Sequence, residues 1–464
     1  MKHDYDKKLS SARLRISTVP RNNKIDEFYS DRSRILYSTS FRRLQQKAQV
    51  FSLEPNSSVH TRMTHSLEVS DIGRTLANKI ARRLYEKNEI SLEQVAEIVT
   101  IVENACLVHD LGNPPFGHFG EFAIQSWAKT TKIFDKISKN NLELFKDFKE
   151  FDGNPQGIRI LLKLHTEHDE FSLNLTSATL LCALKYVRSP KENADDGIMK
   201  KPGFFSSEKD EIEQIQKNAD VQEYHRYPLT YIMEAADDIA YCLSDIADGL
   251  EKRIITLDEF INYFYLSWDS NKKSILCPLS KEIKNFTDGV SIPWSKKAME
   301  EVANYYINNH DDVFNGITKD LLSNTEIHPA FKTLKTVAKE KLYSSPEAEN
   351  IELAGFSVIT GLLKHYENLL MLPFDIFTGL MTGKLPDEYK NDYKYEKRLF
   401  DRIATHYVAA YKTARDKLDN TSSDFYEKEL WLRTHLIIDY ISGMTDEFSL
   451  SMYQLLEGID IKHR

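Results

Sequence analysis

Three ionisable side chains stand where helical sequences usually carry apolar residues. His109 and Asp110 close an apolar helical stretch, and His109 continues the buried face of that stretch. Asp237 follows two alanines, precedes Ile239 and shares a helix face with Met233. A lone buried histidine is most often a hydrogen-bonded core residue, but a carboxylate in apolar surroundings is unfavourable without a positive partner. A divalent metal ion is such a partner, so these residues indicate metal-dependent chemistry.

With His65 added, the set offers two imidazole nitrogens and two carboxylates to one metal ion. Such a mixed ligand set suits Mn²⁺ or Fe²⁺, and it accepts Mg²⁺ when substrate phosphates complete the coordination. Four protein ligands on an octahedral ion leave about two positions for water or phosphate oxygens, as a catalytic metal requires. The neighbouring Asp238 is the rival for the last ligand, and the apolar face on which Asp237 lies favours Asp237.

The elements that must position these side chains have helical periodicity. Apolar residues recur at intervals of three and four over residues 65–84, 93–109 and 230–250, which predicts three amphipathic helices. The two prolines at 114–115 end the second of these helices, and a further helix is expected over 118–127. Strand signals are few and short, so the predicted fold class is all-α.

The formal net charge of the 464-residue chain is -9. A polyanionic ligand would therefore have to be held by a metal ion or by a local group of cations. One such group, the N-terminal basic cluster, lies within the first 50 residues, and it is either a solvated helical face or a phosphate-binding surface. The cluster comprises Arg13, Arg15, Arg21, Lys24, Arg32, Arg34, Arg42, Arg43 and Lys47.

The four cysteines are scattered without a paired spacing, which favours free thiols in a reducing compartment over a disulfide framework. The charged N-terminus lacks the pattern of a signal peptide. No run approaches the roughly 18 apolar residues that a membrane-spanning helix needs. We therefore expect a cytoplasmic protein with no membrane partner.

Several sequence blocks, in order along the chain, resemble those of the HD-domain deoxyguanosine triphosphate triphosphohydrolases (dGTPases). The block at 109–121 is far more specific than a bare His-Asp pair, and together the blocks extend the resemblance over most of the chain. His60 is a departure, because the family pattern has arginine there, and it affects a peripheral phosphate or DNA contact rather than the metal site. The matching segments are 42–47, 62–69, 109–121, 200–203, 234–241 and 439–446.

The resemblance implies an HD-domain helical core with a helical insertion and a C-terminal helical lobe. We expect a basic helical segment over residues 1–60 and the HD catalytic core over 61–250, with the insertion at about 128–228. Residues 251–464 are expected to contribute to the substrate pocket and to contacts between subunits. Within the insertion, the charged, proline- and glycine-containing residues 188–215 predict a long mobile connection.

By the same resemblance, a divalent cation activates water for attack at the α-phosphorus, and intact triphosphate is released. Mg²⁺ or Mn²⁺ is expected, and Fe²⁺, Co²⁺ or Ni²⁺ is also compatible with the ligands. His118 and Glu121 share a helix face, and within this family block they are expected to be catalytic rather than plain surface residues. His118 would either activate the nucleophile or protonate a departing oxygen, with Glu121 orienting it. The expected metal ligands are His65, His109, Asp110 and Asp237.

The remaining family positions predict a pocket for dGTP or another dNTP. Lysines at 185 and at 200 or 201 would hold phosphates, although a single lysine is more often a solvated surface residue. Tyr241 is either the wall that excludes a ribose 2′-hydroxyl or plain core packing. Glu396 would accept hydrogen bonds from guanine N1 and N2, and Arg433 would pair with O6 and N7. The expected substrate-binding residues are Gln49, Val50, Arg62, Asn154, Lys185, Tyr186, Lys201, Tyr241, Glu396 and Arg433.

The resemblance therefore predicts hydrolysis of dGTP to deoxyguanosine and inorganic triphosphate, which controls dNTP pools. It also implies a homo-oligomer, a hexamer in the family, with single-stranded DNA as a regulatory partner. Two alternatives stay open: an HD phosphohydrolase for another nucleotide, and a single-stranded-DNA-binding protein whose metal site is regulatory or vestigial. Product analysis separates the first alternative, and metal-stimulated hydrolysis separates the second.

Overall fold

The computed structural model describes residues 3–166, 169–268 and 277–459. These residues contain no β-sheet, only isolated bridging pairs such as Ala48 with Thr61, so the all-α prediction is confirmed. The first helices are α1 (Tyr5–Lys8), α2 (Lys24–Tyr37), α3 (Thr39–Arg43), α4 (Arg62–Glu86), α5 (Leu92–Val108), α6 (Gly117–Thr130), α7 (Lys139–Leu142), α8 (Lys146–Lys149), α9 (Gly153–Lys163), α10 (Ser177–Ala183) and α11 (Lys209–Asn218). They are followed by α12 (Thr230–Glu251), α13 (Leu257–Ser267), α14 (Ile292–Asn308), α15 (His310–Phe314), α16 (His328–Val337), α17 (Pro346–Leu370), α18 (Phe374–Thr382), α19 (Lys394–Phe400), α20 (Thr405–Asp416), α21 (Phe425–Ser442) and α22 (Asp446–Leu456).

Helices α4, α5 and α12 pack together, and they carry the blocks at 62–69 and 234–241 and lead into the block at 109–121. Both α4 and α5 start with a capping box, in which the side chains of Thr61 and Ser91 accept the N–H of the third helical residue. Helix α4 approaches α5 closely at Gly73, where an added Cβ would lie 2.5 Å from Cys106 Sγ. The three helices agree with the predicted amphipathic segments to within three residues at each end.

A tight turn joins α5 to α6 and holds the His-Asp pair. Gly112 packs directly on the start of α9, since a Cβ there would lie 2.0 Å from the carbonyl oxygen of Gly153. Phe116 has a left-handed φ of 60°, which is unusual for a bulky residue, and its N–H donates to Asp446 Oδ1 over 3.1 Å. The turn is therefore fixed by α9 on one side and by the start of α22 on the other.

The chain beyond residue 251 adds a helical lobe to this core. Helix α17 packs against α6 and α22, and α20 packs against α21. Gly355 lies on Phe116, because a Cβ at that position would be 2.5 Å from Phe116 Cγ. A π-helical turn over Ala338–Tyr343 precedes α17, and the Tyr343 hydroxyl donates to Asp245 in α12. The lobe thus reaches the helix that carries Asp237.

The prediction of a long mobile connection over residues 188–215 is wrong. Part of this segment is helix α11, which starts at Lys209. The residues before it are held by Arg188, whose buried guanidinium donates to the Met199 and Ser189 carbonyls and to the Glu150 carboxylate. Arg188, one of the charges that predicted a solvated loop, instead makes internal bonds.

Most of the N-terminal basic cluster is paired with acidic side chains or backbone oxygens, so it is not a solvated helical face. Arg13 is buried between Glu27 and Asp31, with its nitrogens 2.6 and 2.7 Å from their carboxylate oxygens. Lys47 is also buried, and its ammonium donates to the Asn113 carbonyl over 2.6 Å. Further pairs join Arg15 to Asp169, Arg21 to Glu27, Lys24 to Glu97 and Arg32 to Glu103.

All four cysteines are free thiols, as predicted, and Cys106, Cys182 and Cys242 are buried. Among the helices of the described residues, none has the length and apolar character needed to cross a membrane.

Candidate metal centre and active site

A cavity of about 480 Å³ lies between α6, α12, α17 and the turn that holds His109 and Asp110. This volume is within the usual range of small-molecule pockets. His65 is fully buried directly beside the cavity, whereas Glu396 and Arg433 do not line it. The other predicted site residues all line it, namely Gln49, Val50, Arg62, His109, Asp110, His118, Glu121, Asn154, Lys185, Tyr186, Lys201, Asp237 and Tyr241.

Three of the four predicted metal ligands converge at one edge of the cavity. The Nε2 atoms of His65 and His109 each lie 3.4 Å from Asp237 Oδ1. One ligand atom from each of the three residues lies within 4.8 Å of the others. His65 belongs to α4, Asp237 to α12, and His109 is the C-cap of α5, so the close packing of these helices brings the three side chains together.

The hydrogen bonding of the histidines fits a metal ion at this point. His109 Nδ1 donates to the Cys106 carbonyl oxygen over 2.7 Å, which orients Nε2 towards Asp237. That Nε2 atom is buried and makes no hydrogen bond. A buried nitrogen without a partner is costly, and a cation among these ligands would satisfy it. A metal-binding histidine commonly has its other nitrogen oriented by a carbonyl in this way.

Asp110 lies at the side of this group, with Oδ1 3.8 Å from His109 Nε2. Arg62 donates to its Oδ2 over 2.9 Å, and Asn113 donates to its Oδ1 over 2.7 Å. Burial alone would raise the pKa of Asp110, but Arg62 and His109 hold it below its ordinary value. The carboxylate is therefore charged and oriented at the edge of the metal centre.

Asp237 and Asp238 face different cations. Lys185 Nζ lies 3.2 Å from Asp237 Oδ2, and together with His109 it lowers the pKa of Asp237 against the opposing effect of burial. Asp238 instead accepts a hydrogen bond from Lys335 over 2.9 Å. Of the two aspartates, only Asp237 belongs to the converging group with the histidines, which supports its choice as the last ligand.

His118 and Glu121 form a hydrogen-bonded pair at the first turn of α6. His118 Nδ1 lies 3.1 Å from Glu121 Oε2, and the side chain of His118 is 84% exposed whereas that of Glu121 is 8% exposed. The other Glu121 oxygen accepts the N–H of Gly153 over 2.7 Å. The bond to Glu121 raises the pKa of His118 above its ordinary value, so the ring that faces the cavity favours its protonated form.

Cationic side chains surround the candidate metal centre. Arg62, Lys185 and Lys201 line the cavity, and Lys201 Nζ donates to Asp152 Oδ2 over 2.6 Å. Its neighbour Lys200 is exposed and does not line the cavity, so the structure distinguishes the two candidate lysines. This grouping gives a polyanion several charge-assisted contacts beside the metal ligands.

Among the residues of the cavity wall that sequence reasoning missed are Asp245, Tyr343 and Glu352. Asp245 follows Tyr241 by one helical turn, as Tyr241 follows Asp237, and this spacing was a usable signal. Burial raises the pKa of Asp245 to about 7 although it accepts a hydrogen bond from Tyr343. Tyr343 and Glu352 carry no signal in the sequence, because neither belongs to a family block.

The structure does not bring Glu396 and Arg433 to this cavity. Arg433 is buried, and its guanidinium donates to the Glu429 carboxylate and to the carbonyl oxygens of Leu369 and Leu372. The Arg433 side chain is only 3% exposed. Its contacts are therefore made within this chain and not with a ligand in the cavity. Glu396 is half-buried in α19 and lies away from the cavity lining.

Comparison with known proteins agrees with this geometry. The HD-domain family model matches residues 62–221, a segment that contains His65, His109 and the His118–Glu121 pair. Relatives named deoxyguanosinetriphosphate triphosphohydrolase are 35% identical in Klebsiella pneumoniae and in Enterobacter sp., and 36% identical in Salmonella paratyphi A. Each alignment covers 93% of this chain and 94% of the relative. The chain therefore belongs to the family of HD-domain deoxyguanosinetriphosphate triphosphohydrolases.

Proposed function

We propose that this protein hydrolyses dGTP to deoxyguanosine and inorganic triphosphate in a reaction that depends on a divalent cation. The observation that carries the proposal is the convergence of His65, His109 and Asp237 beside a cavity lined by several cations. The names of the relatives support the triphosphohydrolase reaction and its guanine substrate.

His65, His109, Asp110 and Asp237 would hold the cation, and Mg²⁺ or Mn²⁺ fits this mixture of nitrogen and oxygen ligands. When bound, the cation supplies Lewis-acid stabilisation to the α-phosphate and makes water a better nucleophile. Fe²⁺, Co²⁺ and Ni²⁺ suit the same ligands.

The residues around the cation have separate tasks in this proposal. Lys185, Arg62 and Lys201 hold the triphosphate and balance its charge before the reaction starts. Water attacks the α-phosphorus, the bond to the 5′-oxygen of the nucleoside breaks, and triphosphate keeps the oxygen of the water. The 5′-oxygen needs a proton as it leaves, and protonated His118, oriented by Glu121, donates it.

The sugar is placed against α12 in this arrangement. Tyr241 lines the cavity one turn after Asp237, and Lys335 lies 5.3 Å above its ring. In this proposal the Tyr241 ring is the wall that excludes a 2′-hydroxyl, as the family resemblance implies, so the pocket would favour deoxyribose. Gln49, Val50 and Asn154 complete the deoxynucleoside side of the pocket.

Product analysis tests the proposal. Each of the four dNTPs is incubated with Mg²⁺ or Mn²⁺ in ¹⁸O-labelled water, and the products are separated by chromatography and weighed by mass spectrometry. We expect deoxyguanosine without label and triphosphate with one labelled oxygen, with dGTP the best substrate. Formation of dGMP and pyrophosphate would instead identify an HD phosphohydrolase of another type.

Oligomer assembly and regulation by single-stranded DNA stay predictions from the family. The N-terminal basic cluster is a weak candidate for a DNA site, because Arg13, Arg21 and Arg32 are paired with carboxylates. DNA bound through phosphate contacts would weaken steeply as salt is raised.

A further inference from the structure

A second group of metal-ligating side chains lies away from the cavity. Within residues 3–166, 169–268 and 277–459, histidine and carboxylate ligand atoms converge to within 4.8 Å in two places, and the second is His3 with Glu89 and His310. His3 precedes α1, Glu89 lies in the loop between α4 and α5, and His310 starts α15. The group therefore joins the N-terminal segment to the core and to the C-terminal lobe.

Both imidazoles have one nitrogen oriented by a partner outside the group. His3 Nε2 lies 2.7 Å from Asp311 Oδ1, and His310 Nε2 lies 2.8 Å from the hydroxyl of Tyr5. Burial raises the pKa of Tyr5 well above its ordinary value, so its hydroxyl stays protonated. A carboxylate or hydroxyl on the far nitrogen is the usual support of a metal-binding histidine.

The contact between His3 and Glu89 requires a positive charge. His3 Nδ1 lies 3.1 Å from Glu89 Oε2, while Nε2 of the same ring donates to Asp311. If Nδ1 carried only its lone pair, that lone pair would face a carboxylate oxygen, which is unfavourable. Either a second ring proton or a metal ion must therefore lie between these two atoms.

His310 supplies the third ligand of the group. Its ring centroid is 4.1 Å from that of His3, and one of its ring nitrogens lies within 4.8 Å of the ligand atoms of His3 and Glu89. A proton between His3 and Glu89 would use only two of these three residues, whereas a metal ion would bind all three, so the position of His310 favours the metal ion.

We propose that His3, Glu89 and His310 form a structural site for one divalent cation of the Zn²⁺ type. Two imidazoles and one carboxylate are a common zinc ligand set. Around a tetrahedral Zn²⁺ with bonds of about 2.0–2.3 Å, ligand atoms lie about 3–4 Å apart, so the His3–Glu89 pair already has the right spacing. The ion fastens the N-terminal segment to Glu89 and His310 without taking part in hydrolysis.

Metal counting tests this site in the untagged full-length protein. The protein is stripped with a chelator, dialysed and titrated with Zn²⁺ against a chromophoric chelator. We expect the His310→Gln variant to bind one zinc ion per chain fewer than the wild type. The same difference of one ion is expected between Asp237→Asn and the double variant Asp237→Asn/His310→Gln, because the two sites are independent.

Two further variants keep the result interpretable. His225→Gln alters a half-buried histidine whose ring nitrogen hydrogen-bonds to the Glu223 carbonyl, away from both groups, and this variant should bind as much zinc as the wild type. His3→Gln should lose the same ion as His310→Gln, and in both variants Zn²⁺ should no longer raise the Tm of the Asp237→Asn background. Equal zinc counts in the wild type, His3→Gln and His310→Gln would overturn the proposal.

Discussion

Asp237 and Asp238 are neighbours in α12, yet their carboxylates bind different lysines on different sides of the helix. Lys185 reaches Asp237 over 3.2 Å, and Lys335 reaches Asp238 over 2.9 Å. Lys185 comes from the segment that follows α10, whereas Lys335 belongs to α16 of the C-terminal lobe. The different lysine partners therefore distinguish Asp237, the candidate metal ligand, from its neighbour Asp238.

The two aspartates should respond differently to the same substitution. Asp237→Asn removes a charge from the metal centre, and we expect kcat/KM for dGTP to fall more than about 100-fold, beyond the usual loss for an outer partner of a metal ligand. Asp238→Asn, the matched control, should keep metal-dependent turnover because Lys335 is its main partner. Steady-state rates with Mn²⁺ measure both, and the reverse order would exchange the assignments.

His118 should set the alkaline limit of the pH profile. As a proton donor it is active below its raised pKa, so log kcat/KM should fall with a slope of -1 as pH rises through that pKa. His118→Gln should lower kcat by about 10²–10⁴-fold. Glu121→Gln removes the group that raises the pKa, so the inflection should move to lower pH. An inflection that stays in place would show that His118 is not the titrating group.

The Tyr241 ring should determine the preference for deoxyribose. Tyr241→Ala opens space at the sugar, and we expect the ratio of kcat/KM for dGTP to that for GTP to fall about tenfold or more. Lys335→Gln is the control, since it removes the cation 5.3 Å above the ring but keeps the ring itself. If both variants changed the ratio equally, the cation rather than the bulk of Tyr241 would govern the preference.

Arg433 should be needed for folding rather than for base selection. Replacement by leucine leaves the buried Glu429 carboxylate without its partner, and removal of one member of such a pair costs about 3–5 kcal/mol. Urea unfolding monitored by circular dichroism measures this loss. Glu396→Gln, on the half-buried face of α19, should change neither the stability nor the rate ratio of dGTP to dATP. Normal stability of Arg433→Leu with a lost guanine preference would restore the base-recognition assignment.

The sequence predicted the helices well because they depend on local patterns. The spacing of apolar residues located α4, α5 and α12, and acids in apolar surroundings singled out Asp110 and Asp237 as candidate metal ligands. Ion pairs between residues that are distant in the sequence were not predictable from such local patterns. The acidic residues Glu27 and Asp31 stood in the basic N-terminal run as interruptions, but in the structure they are the partners of its arginines.

Contacts between distant parts of the chain also decide the positions of Arg433 and Tyr343, and the sequence does not indicate them. Glu429 precedes Arg433 by four residues, a spacing typical of an ion pair along one helix, but only the structure shows that Leu369 and Leu372 complete its bonding. Tyr343 reaches the cavity through a π-helical turn, and no periodic pattern of apolar residues indicates such a turn.

His60 should stabilise the fold in a pH-dependent way. Its Nδ1 lies 2.7 Å from Asp248 in α12, and its Nε2 lies 2.8 Å from Glu68 in α4. His60 therefore links the start of α4 to α12. These two bonds raise the pKa of His60 to about 10, well above the unfolded value of about 6.5. A raised folded pKa means that the extra stability is complete below the unfolded pKa and disappears as pH rises through about 10.

The His60→Gln variant tests this link. At pH 6.5 we expect its free energy of unfolding to be lower than that of the wild type by about 1.5–3 kcal/mol, the range for hydrogen bonds to charged groups. The difference should shrink steadily when urea unfolding is repeated at pH 8 and pH 10, because the wild type loses its ring proton while glutamine has none to lose. His60→Arg keeps the charge at every pH and should show no such decline. A wild-type advantage that is constant up to pH 10 would mean that packing, not the charge on His60, holds α4 to α12.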